Sequence, residues 1–146
     1  MFLKRYSSEI EIKATRDHVW SILTDNEKYY QWNTFTTSVD LNWEIGSKVK
    51  MKVNMKPGQK PINQTEYLCI YEAPNQIAWR MNWGFMLKAI RTQELVETQD
   101  EKVKYITIDT ISGMLTPLVH LLYGKHIQNG FDRVAHELKT YAEGAH

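Results

Sequence analysis

Three side chains in the second half of the chain have the chemistry to act on, or hold, a small molecule: Arg91, Asp109 and His120. His120 is the candidate general base, because an imidazole titrates nearest neutrality. Asp109 alternates with Tyr105, Thr107 and Ile111. A carboxylate on that face needs a partner, or its pKa rises, because desolvating it costs several kcal/mol. Arg91 lies at inward parity if Leu87, Ala89 and Leu95 point inward, and it can then meet Asp109 across adjacent strands. An enclosed Asp–Arg pair beside Trp and Tyr would orient a polar substituent on an otherwise apolar ligand. A bulge that turned either residue outward would make both into solvated charges. The enzymatic set is thin. No Ser or Cys near His120 supplies a nucleophile, and His126 and His136 sit elsewhere around their helix. The five histidines, at 18, 120, 126, 136 and 146, form no His-x-x-x-His pair. Cys69 is the single cysteine, which excludes an intrachain disulfide and a thiolate cluster. It lies in the apolar run Tyr67–Tyr71 with no basic neighbour and reads as a buried structural thiol. Gly46, Gly58 and Gly84 are isolated, so no phosphate loop exists. Neither a metal nor a cofactor is expected.

The 146 residues suit one domain, 1–146, with 42% hydrophobic and 24% charged residues. A net charge of +1 gives no bulk electrostatic case for nucleic acid or an anionic membrane. The aromatics stand out in kind, with 5 Trp and 8 Tyr against 4 Phe, and Trp and Tyr are frequent at ligand sites. The start, Met1-Phe2-Leu3-Lys4-Arg5-Tyr6, lacks the apolar core of a signal peptide. No stretch approaches the roughly 18 apolar residues of a span. The chain reads as cytoplasmic, with no stable membrane insertion.

These residues need strands and one helix to position them. Residues 5–13 alternate as a half-buried strand. Thr15 can cap a helix carrying Val19, Trp20, Ile22 and Leu23, and Asp25 a second short one ending near Tyr30. Strands follow at Thr34–Leu41, at the run with Val49, Met51, Val53 and Met55 on one face, at Thr65–Tyr71 and at the Ile77-to-Trp83 alternation. Leu87–Thr98 and Val103–Ile111 complete seven. Lys48, Lys50, Lys52, Asn54 and Lys56 read as a solvated outer face or, alternatively, an anion site. Pro57-Gly58-Gln59-Lys60-Pro61 cannot continue a ladder. Hairpin spacing without intervening long helices argues for an antiparallel sheet.

From Thr116-Pro117, which fit a cap and a first-turn proline, His120, Tyr123, Gly124, Ile127, Phe131, Val134, Leu138 and Tyr141 recur at helical spacing. That stripe must be buried, and the concave face of a curled sheet is the available surface. Arg133–Glu137 and Lys139–Glu143 are at i,i+4 spacing for ion pairs. Gly124 and Gly130, each about 1 kcal/mol worse than Ala in a helix, imply that a sheet aromatic or a ligand passes close to the backbone.

Four segments, in order, carry a resemblance: Ile12-Lys13-Ala14-Thr15 with Val19-Trp20 and Leu23-Thr24-Asp25; Tyr30-Gln31-Trp32-Asn33; Pro74-Asn75-Gln76-Ile77-Ala78-Trp79-Arg80; and Ile111-Ser112-Gly113-Met114-Leu115-Thr116-Pro117-Leu118 with Gly130-Phe131 and Leu138-Lys139. The chain resembles the START-related, polyketide-cyclase-like superfamily, shared with the birch-pollen allergens. The resemblance implies an α+β helix-grip fold, a seven-stranded antiparallel sheet around a long C-terminal helix. It implies a pocket between helix and sheet lined by Met51, Val53, Met55, Trp79, Met81, Trp83, Arg91, Tyr105, Thr107, Tyr123, Ile127 and Phe131, with Trp32 and Phe35 at its mouth. Superfamily members include carriers, cyclases, dehydratase-like enzymes and cochaperone domains. The leading expectation is binding or transport of a hydrophobic or aromatic small molecule. The alternatives are a cyclase or dehydratase-like enzyme moving a proton through His120 or Asp109, and a cochaperone-like interaction domain using the Lys48–Lys56 row.

Overall fold

The computed structural model describes residues 2–56 and 58–144. Among them the chain forms strands β1 (Leu3–Ile12), β2 (Thr36–Asp40), β3 (Lys48–Val53), β4 (Ile62–Glu72), β5 (Gln76–Asn82), β6 (Lys88–Gln99) and β7 (Lys102–Ser112). Helix α1 (Arg16–Thr24) and a 3₁₀ turn (Asn26–Gln31) follow β1, and α2 (Thr116–Glu143) ends the described chain. The strands make one antiparallel sheet in the order β1-β7-β6-β5-β4-β3-β2, so β1 closes back onto β7. Register shifts at Thr36/Ser38, Leu68/Ile70 and Glu97/Gln99 add local bend to the ordinary twist, and the sheet curls around α2. The expected helix-grip architecture is the observed one.

Local signals account for most elements. Burial alternates strictly along β3, with Val49, Met51 and Val53 buried and Lys48, Lys50 and Lys52 exposed. Thr15 caps α1, its Oγ1 accepting from the His18 N–H at 3.1 Å. Ile127, Phe131, Val134 and Leu138 of α2 are buried against the concave face. Lys139 Nζ reaches Glu143 at 2.7 Å and the Glu11 carbonyl at 2.8 Å, tying α2 to β1.

Several details differ from the expectations. The second short helix is 3₁₀, and the Asp25 side chain does not cap it. Leu115, not Thr116, holds the cap position of α2, and Pro117 falls in its first turn. Arg133 and Glu137 do not pair directly: the Arg133 Nε–H donates to Thr34 Oγ1 at 2.8 Å, and that hydroxyl donates to Glu137 Oε2 at 2.7 Å. Thr34 therefore belongs to a helix anchor, and β2 starts at Thr36. Strand β4 begins at Ile62, earlier than Thr65. Lys56 leaves the solvated lysine row, its Nζ lying 4.9 Å from the Tyr123 ring centre. Pro57 of the expected loop and His146 lie outside the described residues.

The two helix glycines have distinct neighbours. A Cβ at Gly130 would overlap the Phe35 ring, and one at Gly124 would come 2.7 Å from His120 Nδ1. Sheet-side and helix aromatics, rather than an open channel, occupy the space. Gly130→Ala is expected to destabilise the fold by about 1–3 kcal/mol by overpacking, despite its better helix propensity. A urea melt showing a net gain would contradict this contact.

Candidate functional site

The space between α2 and the concave face is a cavity of about 370 Å3, towards the small end of the roughly 300–1,000 Å3 of ligand pockets. Its wall is mainly apolar. Met51, Val53 and Met55 come from β3 and its end; Trp79 and Met81 come from β5; Tyr123, Ile127 and Phe131 come from α2. Phe35 also lines it, meeting Phe131 edge-on at 5.7 Å between centres. Trp83 lies beyond the end of β5, mostly exposed, at the mouth.

Three ionisable side chains face this apolar space. Arg91 and Asp109 are direct partners in the β6–β7 register, as parity required, and no bulge intervenes between them. Both line the cavity together with Glu66 of β4. The Arg91 guanidinium lies 4.6 Å from the Phe131 ring centre, and its Nε–H donates to Thr107 Oγ1 at 3.2 Å. Arg91 Nη2 is buried and has no acceptor among the described residues. No Arg91–Asp109 ion pair within 4 Å forms among the described residues; the guanidinium instead stacks over Phe131 and bonds Thr107. Burial raises the Asp109 carboxyl to about 7, partly opposed by Arg91. Burial raises Glu66 further, to about 8, with Asp109 adding to the rise and Arg91 opposing it. Near neutral pH the cavity therefore holds one guanidinium and two carboxyls that retain protons far above their ordinary range.

Four expected site residues are not in the cavity wall. Thr107 and Tyr105 are fully buried behind it: Thr107 holds Arg91, and the Tyr105 hydroxyl donates to Gln93 Oε1 at 2.6 Å. Trp32 is buried in a separate aromatic cluster, 5.1 Å from Tyr29 and 6.3 Å from Tyr141 between ring centres. His120 is exposed, pairs with the Tyr6 hydroxyl, Oη to Nδ1 2.6 Å, and does not line the cavity. It falls on the buried stripe by angle, yet none of residues 117–122 is buried, and its ring meets Tyr6 of β1 at the rim of the sheet instead. Cys69 is half-buried, its thiol 3.5 Å from the Ala78 carbonyl and pushed up in pKa by burial.

Glu66 was not among the expected site residues, and the bulge in β4 explains why. Tyr71 pairs with Ile77 on the core side, and counting back at period two from it puts Tyr67 inward and Glu66 outward. The register shift between Leu68 and Ile70 inverts that parity. Glu66 and Leu68 are buried, whereas Tyr67 is 45% exposed. The available signal was Pro74 and Asn75 fixing the β4–β5 turn, from which Leu68 opposite Trp79 can be counted only if the extra residue is known.

A curled antiparallel sheet gripping one long helix over a cavity defines the class: this is a helix-grip fold. Residues 13–143 match the family model described as "Activator of Hsp90 ATPase homolog 1-like protein", and the chain belongs to that family. No curated protein matches it by sequence. Its fold is similar to that of the di-domain ARO/CYC BexL, with a TM-score of 0.76 and 11% identity over 99% of this chain and 51% of that one. The chain thus spans about half the length of that two-domain protein. The Zhui aromatase/cyclase of a Streptomyces species matches with a TM-score of 0.72 and 15% identity, over 97% of this chain and 94% of its own. Norcoclaurine synthase of Thalictrum flavum, solved with dopamine and hydroxybenzaldehyde, matches with a TM-score of 0.72 and 12% identity over 99% and 90%. These likenesses establish the shared fold.

Proposed function

We propose that this protein binds a hydrophobic or aromatic small molecule that carries a polar oxygen. The observation behind this reading is the cavity itself: an apolar wall of Trp79, Met51, Met81 and Phe131 around the cluster of buried Glu66 and Arg91 with half-buried Asp109. The apolar wall supplies affinity, and the cluster selects orientation. A ligand carbonyl or hydroxyl would accept from the Arg91 guanidinium, whose Nη2 has no acceptor among the described residues, while the protonated Glu66 supplies a further donor.

The test compares two probes of nearly the same shape, 2-acetylnaphthalene and 2-ethylnaphthalene, by quenching of tryptophan emission. The ketone is expected to bind with micromolar affinity, about −8 kcal/mol, and about tenfold more tightly than the hydrocarbon. Arg91→Met should remove that preference and leave hydrocarbon binding nearly unchanged. Equal binding of both probes by the wild type would contradict the assigned role of the cluster.

A second reading is favoured by the Asp109 carboxyl, which sits near neutrality inside the cavity and so serves equally as proton donor or acceptor. In a cyclase-like or condensing enzyme, of the kind named among the similar folds, Asp109→Asn would lower single-turnover rates about 10²–10⁴-fold with binding intact. In the carrier reading the same variant changes affinity alone. A cochaperone-like role rests on the family description, and the cavity favours small-molecule binding over it.

A further inference from the structure

The end of the molecule around the cavity mouth combines two features that the net charge of +1 conceals. The first is an apolar lip. Trp83 and Phe85 of the β5–β6 hairpin, Met114 before α2, and Leu118, Leu121 and Leu122 on its first turns are all at least half exposed; Phe85 reaches 72% and Leu121 80%. The Met114 N–H donates to the Phe85 carbonyl at 3.0 Å and the Leu115 N–H to the Met86 carbonyl at 2.9 Å, which joins the hairpin to the start of α2, and Leu118, Leu121 and Leu122 follow from Met114 at helical spacing. Scattered exposed apolar residues are normal, but a contiguous set with two large aromatics at one opening marks an interaction site.

The second feature is a one-signed charge. The segments that build this end, residues 2–6, 54–56, 58–65, 80–90 and 110–125, contain no Asp or Glu. They carry exposed Lys4, Arg5, Lys88 and Lys125, and Lys60 in the β3–β4 connection on the same side. Strand register places Lys4 opposite Ile111 and Lys88 opposite Ser112, level with the lip. Glu66 and Asp109 face the cavity, whereas Glu97, Asp100 and Glu101 at the β6–β7 turn and Glu143 at the end of α2 lie towards the other end.

We propose that the lip docks on anionic lipid bilayers, placing Trp83, Phe85 and Leu121 among the headgroups while the surrounding lysines and Arg5 meet lipid phosphates. Amphipathic aromatic residues and a basic ring suit the membrane interface, where attraction to anionic lipid adds to apolar burial. Charge decides against a second copy as the occupant. A two-fold contact through this patch would set Lys4, Arg5, Lys88 and Lys125 against their own images, with no acid at the lip to meet them. Docking does not depend on the binding function proposed above. That function adds only that a docked mouth gives an apolar ligand a direct route between bilayer and cavity.

The full chain is to be co-sedimented with vesicles of phosphatidylcholine alone and of phosphatidylcholine with an equal share of phosphatidylglycerol, at low and at 0.5 M salt. Binding is expected to the anionic vesicles at least tenfold more tightly than to the neutral ones, weakened by salt, with a blue shift of tryptophan emission. The double variant F85S/L121S, checked for an unchanged melting temperature, should lose at least tenfold in affinity. The double variant K4E/K125E, checked the same way, should lose the preference for anionic lipid. Absence of vesicle binding, equal binding to both vesicle types, or unaltered binding by folded F85S/L121S would overturn the proposal. So would a wild-type dimer in sedimentation velocity that F85S/L121S converts to monomer, because the lip would then be covered by a second copy.

Discussion

Phe131→Ala is expected to destabilise the protein by about 3–5 kcal/mol, measured by urea denaturation. The ring is buried at the middle of α2, edge-on to Phe35 and beneath the Arg91 guanidinium. Truncating it removes its own burial, enlarges a cavity that is already about 370 Å3, and leaves Arg91 without its aromatic face. Leu138→Ala, two turns further along the same stripe and fully buried, serves as the comparison and should cost about 2–5 kcal/mol. A loss well under 1 kcal/mol for Phe131→Ala, with Leu138→Ala costly, would place the ring at a loose wall and not in the grip of the sheet.

Stability should fall as pH rises from about 4 to about 8. Glu66 and Asp109 have folded-state values of about 8 and about 7, well above those of exposed carboxyls in the unfolded chain. Below pH 4 both states are protonated, and these groups contribute their full stability. Between the unfolded and folded values the unfolded chain releases these protons and the folded chain keeps them. Folding stability therefore declines through that window and levels off above pH 8. Surface groups add their own slope, so the informative quantity is the difference between wild type and variant. Glu66→Gln, which keeps the shape and cannot ionise, should be more stable than the wild type at pH 8 and close to it at pH 4. Asp109→Asn should behave the same way with its change centred lower. A Glu66→Gln protein whose margin over the wild type is unchanged between pH 4 and pH 8 would contradict the buried carboxyl.

The same physics decides what could be read from the residues alone. Periodicity survives wherever an element is regular and buried on one side. The alternating β3, the α2 stripe from Ile127 to Leu138 and the Arg91–Asp109 facing were therefore legible. Period-two parity fails at a bulge, and a single extra residue at Leu68–Ile70 was enough to conceal Glu66. Helical angle alone does not fix burial. His120 carries the phase of a core residue, yet it lies on turns where no residue from 117 to 122 is buried. Trp32 and Tyr105 illustrate a third limit: aromatic character marks burial well, but the same burial serves a ligand wall and a packed cluster equally. The charge division between the two ends was also invisible in a net charge near zero, since it depends on which turns share an end.

Filling the cavity is the sharpest test that it is the binding site. Ala89 lies in the wall between Met81 and Ile111 in the strand register, where a large side chain enters the space without replacing a charged group. Wild type and Ala89→Phe are to be titrated with 2-acetylnaphthalene, following tryptophan emission, after thermal melts show that both are folded. Micromolar binding by the wild type that weakens at least about tenfold, more than 1.4 kcal/mol, in the filled variant is the predicted result. Unchanged affinity in a folded Ala89→Phe protein, or no binding by the wild type at all, would contradict it.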